Sequence, residues 1–167
     1  MATPQNKPND KSGSGFTLEV RRTFAAPRER VFAAFADPRQ LEKWMCRDVG
    51  AHITTHREQD IRTGGRYLIE VHDPAKGEVY WGQGEYREVT PPERVRFTWH
   101  WTKDHPDGEN LHPGSPQTEV AVEFLDRGDA TEVVPTHSGF TDAKARKEHE
   151  SGWNGCFDVL ETVLRQG

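Results

Sequence analysis

The stretch DAKARKEHESGWNGCFDVLETVLR, residues 142–165, decides how this chain is read. Ala145, His149, Gly152, Trp153, Cys156, Leu160 and Val163 recur at three- and four-residue spacing and so share one face of a helix. The spacing predicts one long amphipathic helix from Asp142 to Arg165. Two glycines stand in its middle, each costing about 1 kcal/mol relative to alanine in a helix interior. Gly152 falls inside the apolar stripe and Gly155 at its edge. A missing side chain there either lets the helix approach closely what it covers or leaves open volume beneath it.

Upstream of this helix the apolar period changes from about 3.6 to two, the mark of half-buried strands. Val95, Phe97, Trp99 and Trp101 alternate with Arg94, Arg96, Thr98 and His100. The same alternation runs through Tyr67, Ile69 and Val71, and through Val120, Val122 and Phe124. Further strands are expected over Ala51–Arg57, Val79–Val89 and Thr131–Ser138, with turns at Thr63-Gly64-Gly65 and Asp73–Gly77. Gly82 and Gly84 lie within a strand pattern and read as a bulge or a close approach. Pro135 donates no ladder bond, so a bulge or local break is expected in the last strand.

Toward the N-terminus, Phe16, Leu18, Val20 and Phe24 alternate as a first strand. Pro27 suits a first helical position, with Val31, Phe32 and Phe35 as the apolar face of a short helix. Asp37-Pro38 stops it, and a second short segment runs from Arg39 to Met45. The order is strand, two short helices, antiparallel strands, long helix: an α+β fold. Only the terminal helix is long enough to cover the apolar face of such a sheet. Residues 1–15, MATPQNKPNDKSGSG, read as a disordered tail, and residues 16–167 as a single domain.

Composition excludes several functions. A net charge of −5 argues against nucleic acid as the main partner, because phosphate binding needs a basic face. No apolar run approaches a membrane span, and no apolar signal-peptide core opens the chain. Cys46 and Cys156 form no CxxC motif and read as two reduced thiols of a cytoplasmic protein, with a disulfide between them left open. HExxH and finger spacings, Gly-rich phosphate loops and Gly-x-Ser-x-Gly are all missing, so neither a catalytic nucleophile nor a cofactor is expected. His100, His105 and His112 around the long polar loop of residues 102–117 are not expected to form a metal site.

Particular runs carry a resemblance. Arg22-Thr23-Phe24-Ala25-Ala26-Pro27-Arg28-Glu29-Arg30-Val31-Phe32, Gly64-Gly65-Arg66-Tyr67 and Pro91-Pro92-Glu93-Arg94-Val95-Arg96-Phe97-Thr98-Trp99 are three of them. Thr136-His137-Ser138-Gly139-Phe140 and Gly152-Trp153-Asn154-Gly155-Cys156 complete the series. Together they are similar to the C-terminal, Aha-type domain of the activator of the heat-shock chaperone ATPase, within the START-like, Bet v-like SRPBCC superfamily. The resemblance implies the helix-grip fold: a curved antiparallel sheet of six to seven strands wrapped around the long C-terminal helix, with two short helices after strand one. Many relatives hold an apolar cavity between sheet and helix. Met45-Cys46-Arg47-Asp48 departs from the Gly-Pro-type loop common after the tryptophan in relatives.

The aromatic residues Tyr67, Tyr86, Trp99, Trp101, Trp153 and Phe157 either fill a core or line such a cavity. His137, on the strand face of Val133, and His149, on the helix face of Trp153, are candidate polar anchors or an acid/base pair, or else histidines satisfied within the fold. With Gly152 these nine residues form the candidate ligand site. The leading expectation is a non-enzymatic binding protein for a small apolar or amphipathic molecule. The alternatives are a co-chaperone-like activator of a heat-shock chaperone ATPase, although no second, N-terminal domain like that of the full activator is evident, and a cyclase- or hydrolase-like enzyme using the two histidines.

Overall fold

The computed structural model describes residues 16–46, 53–102 and 117–166. The N-terminal tail, Arg47 and Asp48, and His105 and His112 lie outside the described residues.

The first strand pattern forms two pieces, β1 (Phe16–Glu19) and β2 (Arg22–Phe24). Helices α1 (Arg28–Ala36) and α2 (Pro38–Leu41) follow, then β3 (Ile53–Gln59), β4 (Arg66–Asp73), β5 (Glu78–Thr90), β6 (Arg94–Thr102), β7 (Thr118–Asp126) and β8 (Thr131–Phe140). Helix α3 (Ala143–Arg165) closes the fold. The strands make one antiparallel sheet in the order β1-β8-β7-β6-β5-β4-β3, with β2 also paired to β8. Because β1 and β2 share one edge, the eight strand segments fill seven positions. This is the helix-grip architecture, with α3 across the inner face.

Pro27 is not the first helical residue. It is extended (ψ 158°) and serves as the N-cap of α1, its carbonyl accepting from the Arg30 and Val31 amides. Asp37 both ends α1 and caps α2, where its carboxylate accepts the Arg39 amide at 2.9 Å. The second helix ends at Leu41, and turns carry the chain on to Cys46. Asp142 caps α3 by accepting the Ala145 amide at 2.7 Å.

The break expected at Pro135 occurs in its neighbour instead. Strand β8 runs through Pro135 without a shift of register against β7. The Pro135 carbonyl accepts the Val20 amide at 3.1 Å, and Val20 lies in the gap between β1 and β2. A residue's N–H and C=O point to the same side of a strand, so the donor that proline lacks faces the interrupted edge.

A closed aromatic core lies under the C-terminal half of α3. Phe157 and Leu160 are fully buried there, and the Phe157 ring meets Phe24 at 5.3 Å, Trp44 at 6.1 Å and Phe35 at 6.5 Å between centroids. Trp44 satisfies its indole N–H on the Ala34 carbonyl at 2.9 Å. Arg22 reaches from the sheet edge over the Phe157 ring and pairs with Asp158 at 2.8 Å, holding this half of the helix down.

Candidate functional site

The N-terminal half of α3 covers the sheet differently. Between them lies a cavity of about 440 Å³, within the range of small-molecule sites. Trp99 and Trp101 of β6 form its floor, edge to face at 5.2 Å, with Val71 of β4 and Tyr80 of β5 beside them. The strand next to these indoles carries Gly82, where a Cβ would start 3.4 Å from Trp101 and 3.5 Å from Trp99. These are ordinary contact distances, so both rings pack directly over this position.

Helix α3 supplies the roof through Trp153, His149, Gly152 and Glu148. Gly152 is exposed, and a Cβ built on it would find nothing within 4 Å. The absent side chain therefore leaves open volume rather than a close approach.

A hydrogen-bonded chain fixes the inner end. The Trp153 indole N–H donates to His137 Nδ1 at 3.1 Å. That leaves the proton on Nε2, which faces the Thr118 hydroxyl at 2.7 Å, and Thr118 in turn donates to the Trp99 carbonyl at 3.0 Å. The chain sets the tautomer of His137 by the partner each nitrogen has. Burial, and then the neighbouring His149 ring, push the His137 pKa down to about 3. A second proton would set Nδ1–H against the Trp153 N–H. Held neutral with both nitrogens engaged, His137 is built to orient Trp153 and Trp99 rather than to exchange protons.

His149 stands edge-on to His137 at 5.3 Å between ring centroids. Its Nδ1 lies 2.8 Å from the Ala145 carbonyl, an acceptor only, so this nitrogen carries the proton. In the neutral ring Nε2 is then a lone-pair acceptor.

The remaining wall comes from the turns after α2. Cys46 adopts φ +60°, in the left-handed region that costs a non-glycine residue about 1 kcal/mol. Three contacts hold it there: its amide points to Cys156 Sγ at 3.2 Å, its carbonyl accepts from Thr54 at 2.7 Å, and the Met45 carbonyl lies 3.3 Å from His56 Nε2. Cys46 and Cys156 are not disulfide-bonded.

Six of the nine candidate residues meet at this cavity: Trp99, Trp101, His137, His149, Gly152 and Trp153. The other three do not. Tyr67 and Tyr86 lie deeper, packed on each other and on Phe97, with their hydroxyls bonded to the Thr98 carbonyl at 2.5 Å and to Gln59 at 3.1 Å. They border only a void of about 10 Å³, room for at most one water. Phe157 is fully enclosed by the packed half of the core. Sequence reasoning missed Met45, Cys46, Val71, Tyr80, Glu148 and Cys156 as lining residues. Val71 shares the parity of Ile69, and Glu148 and Cys156 lie one turn either side of Gly152, so these three carried a readable signal; Met45 and Cys46 come in through a chain reversal with no periodic signal. Among the described residues no group of three or more His, Cys, Asp or Glu is placed to hold a metal.

The family profile described as "Activator of Hsp90 ATPase homolog 1-like protein" matches residues 25–165. No curated protein matches. Among solved structures, a protein from Chromobacterium violaceum shares 26% identity and a TM-score of 0.75, over 88% of this chain and 95% of that one. A protein from Mycobacterium smegmatis shares 24% identity and a TM-score of 0.72, over 90% of this chain and 91% of its own. The AHSA1 protein from Silicibacter pomeroyi shares 23% identity and a TM-score of 0.73, over 90% and 99%.

Proposed function

The chain belongs to the family of activator of Hsp90 ATPase homolog 1-like proteins, and from that premise we propose that it is a binding protein that holds a small apolar or amphipathic molecule between sheet and terminal helix. The observation that carries this reading is the ring-lined cavity of about 440 Å³ with Gly152 leaving its roof open. An empty apolar space of this size forfeits contacts on every side, and a ligand that fills it restores them. Non-enzymatic binding also agrees with a His137 whose two nitrogens are already engaged. Two cysteines without a disulfide fit a cytoplasmic setting. Among the described residues no helix is long and apolar enough to cross a membrane.

Native mass spectrometry of gently purified protein, with amide and indole shift perturbation by a panel of lipids and aromatic molecules, tests the reading. Shifts are expected at Trp99, Trp101 and Trp153 and not at Phe157. A panel that leaves all three indoles unmoved, with nothing co-purifying, overturns it. The family's description names a second reading, stimulation of a heat-shock chaperone ATPase. An unchanged ATPase rate, together with no complex between the two proteins, ends that one.

A further inference from the structure

We propose that the ligand of this cavity carries a cationic or strongly hydrogen-bond-donating group, an amine above all, on an aromatic or apolar body, and that Glu148 receives it at the rim. The inference rests on the binding reading above and narrows it to a chemical class.

The argument is an inventory of what the rim still has to offer. Its traceable donors are spent inside the protein: the Trp153 N–H on His137, the His137 N–H on Thr118, and His149 Nδ1–H on the Ala145 carbonyl. The Tyr80 hydroxyl is likewise committed to the Glu78 carboxylate. What remains to face a ligand is the carboxylate of Glu148, an exposed lining residue one turn before Gly152, beside the His149 ring. Among the described residues Glu148 has no ion-pair partner, and no lysine or arginine lines the cavity. Its nearest cations in sequence are Lys147, Arg146 and Lys144; the two lysines are exposed, the Arg146 guanidinium lies over the Phe16 ring at 5.2 Å, and none of the three forms an ion pair with Glu148.

The floor adds to this preference. Trp99 and Trp101 line the same cavity as Glu148, and the face of such a ring attracts a cation and not an anion. Acceptors and negative charge at the rim, with indoles beneath, discriminate against a carboxylate or phosphate headgroup by unpaired charge and not by shape. The Trp99 Nε1–H is fully buried and has no acceptor among the described residues.

Three isosteric probes on the full chain decide the matter: 1-naphthylmethylamine, protonated at pH 7, the neutral 1-naphthylmethanol, and 1-naphthoate. Calorimetric titration, with the indole N–H shifts as a site check, is expected to rank amine over alcohol over carboxylate. The amine should lead the alcohol by about three- to tenfold, and the lead should shrink as salt is raised. Glu148→Gln should remove the lead by weakening the amine more than the alcohol, a differential readout that a folding defect would not produce. Equal binding of amine and alcohol, carboxylate binding at or above the amine, or a lead that survives Glu148→Gln overturns this inference and leaves the binding reading standing. If all three probes leave the indoles unmoved at millimolar concentration, both fall together.

Discussion

The two halves of the terminal helix face the same sheet and do opposite things. Residues 157–160 bring Phe157 and Leu160 into a closed aromatic core, whereas residues 148–153 bring Glu148, His149, Gly152 and Trp153 over a hollow. The difference comes from what is supplied from the other side. Helix α1 delivers Phe35, and the turns after α2 deliver Trp44, under the C-terminal half. At Gly152 nothing comes within 4 Å of the missing Cβ. One amphipathic helix can therefore anchor a fold at one end and roof a site at the other, provided its large apolar residues are unevenly distributed.

Three experiments break or sharpen that contrast. The largest effect is expected from Phe157→Ala, which opens a cavity in the closed half and should cost about 3–5 kcal/mol in denaturant unfolding. A loss below about 1 kcal/mol would mean that this half is as loosely filled as the other.

His137 tests the inner end of the hollow half through pH. Its folded pKa of about 3 lies below the ordinary histidine value of 6.5. Between the two the unfolded chain takes a proton that the folded protein refuses, so stability is fully present above that window and falls as pH falls through it. The expected slope is about 1.4 kcal/mol per pH unit. Stability measured from pH 7 to 4 should fall more steeply in the wild type than in His137→Gln. Identical slopes would show that His137 accepts a proton in place and that the chain from Trp153 to Thr118 can rearrange.

The smallest effect belongs to Gly152. Since the helix pays for a glycine and open space surrounds it, Gly152→Ala should raise stability by about 0.5–1 kcal/mol in thermal or denaturant unfolding. Gly152→Leu should keep the fold and crowd the mouth, lowering ligand affinity. Destabilisation by the alanine would place unseen packing against the roof and make the two halves alike.

Most of the fold was legible because its signals are local. Period-two alternation marks the faces of β4, β6 and β7, and three- and four-residue recurrence marks α3, each within a dozen or so residues of chain. The edges of the reading failed where a partner strand decides the outcome: Pro135 reads as a fault in β8, but its missing donor faces the gap at Val20. The site was half legible for a related reason. Tyr67, Tyr86, Trp99 and Trp101 are all inward by alternation, and parity says which face a ring occupies but not how far along the groove it lies. Position along the groove separates the packed tyrosines from the indoles that line the cavity.

The sequence by itself determined the order of elements, the inward faces, the covering helix and the oddity of two glycines in its best stretch. Only the tertiary structure decided that the space under Gly152 is open, that His137 is held neutral by Trp153 and Thr118, and that Met45 and Cys46 close the wall. Those facts depend on side chains brought together across long separations in the chain, and a void is a property of what fails to meet, which no local pattern records.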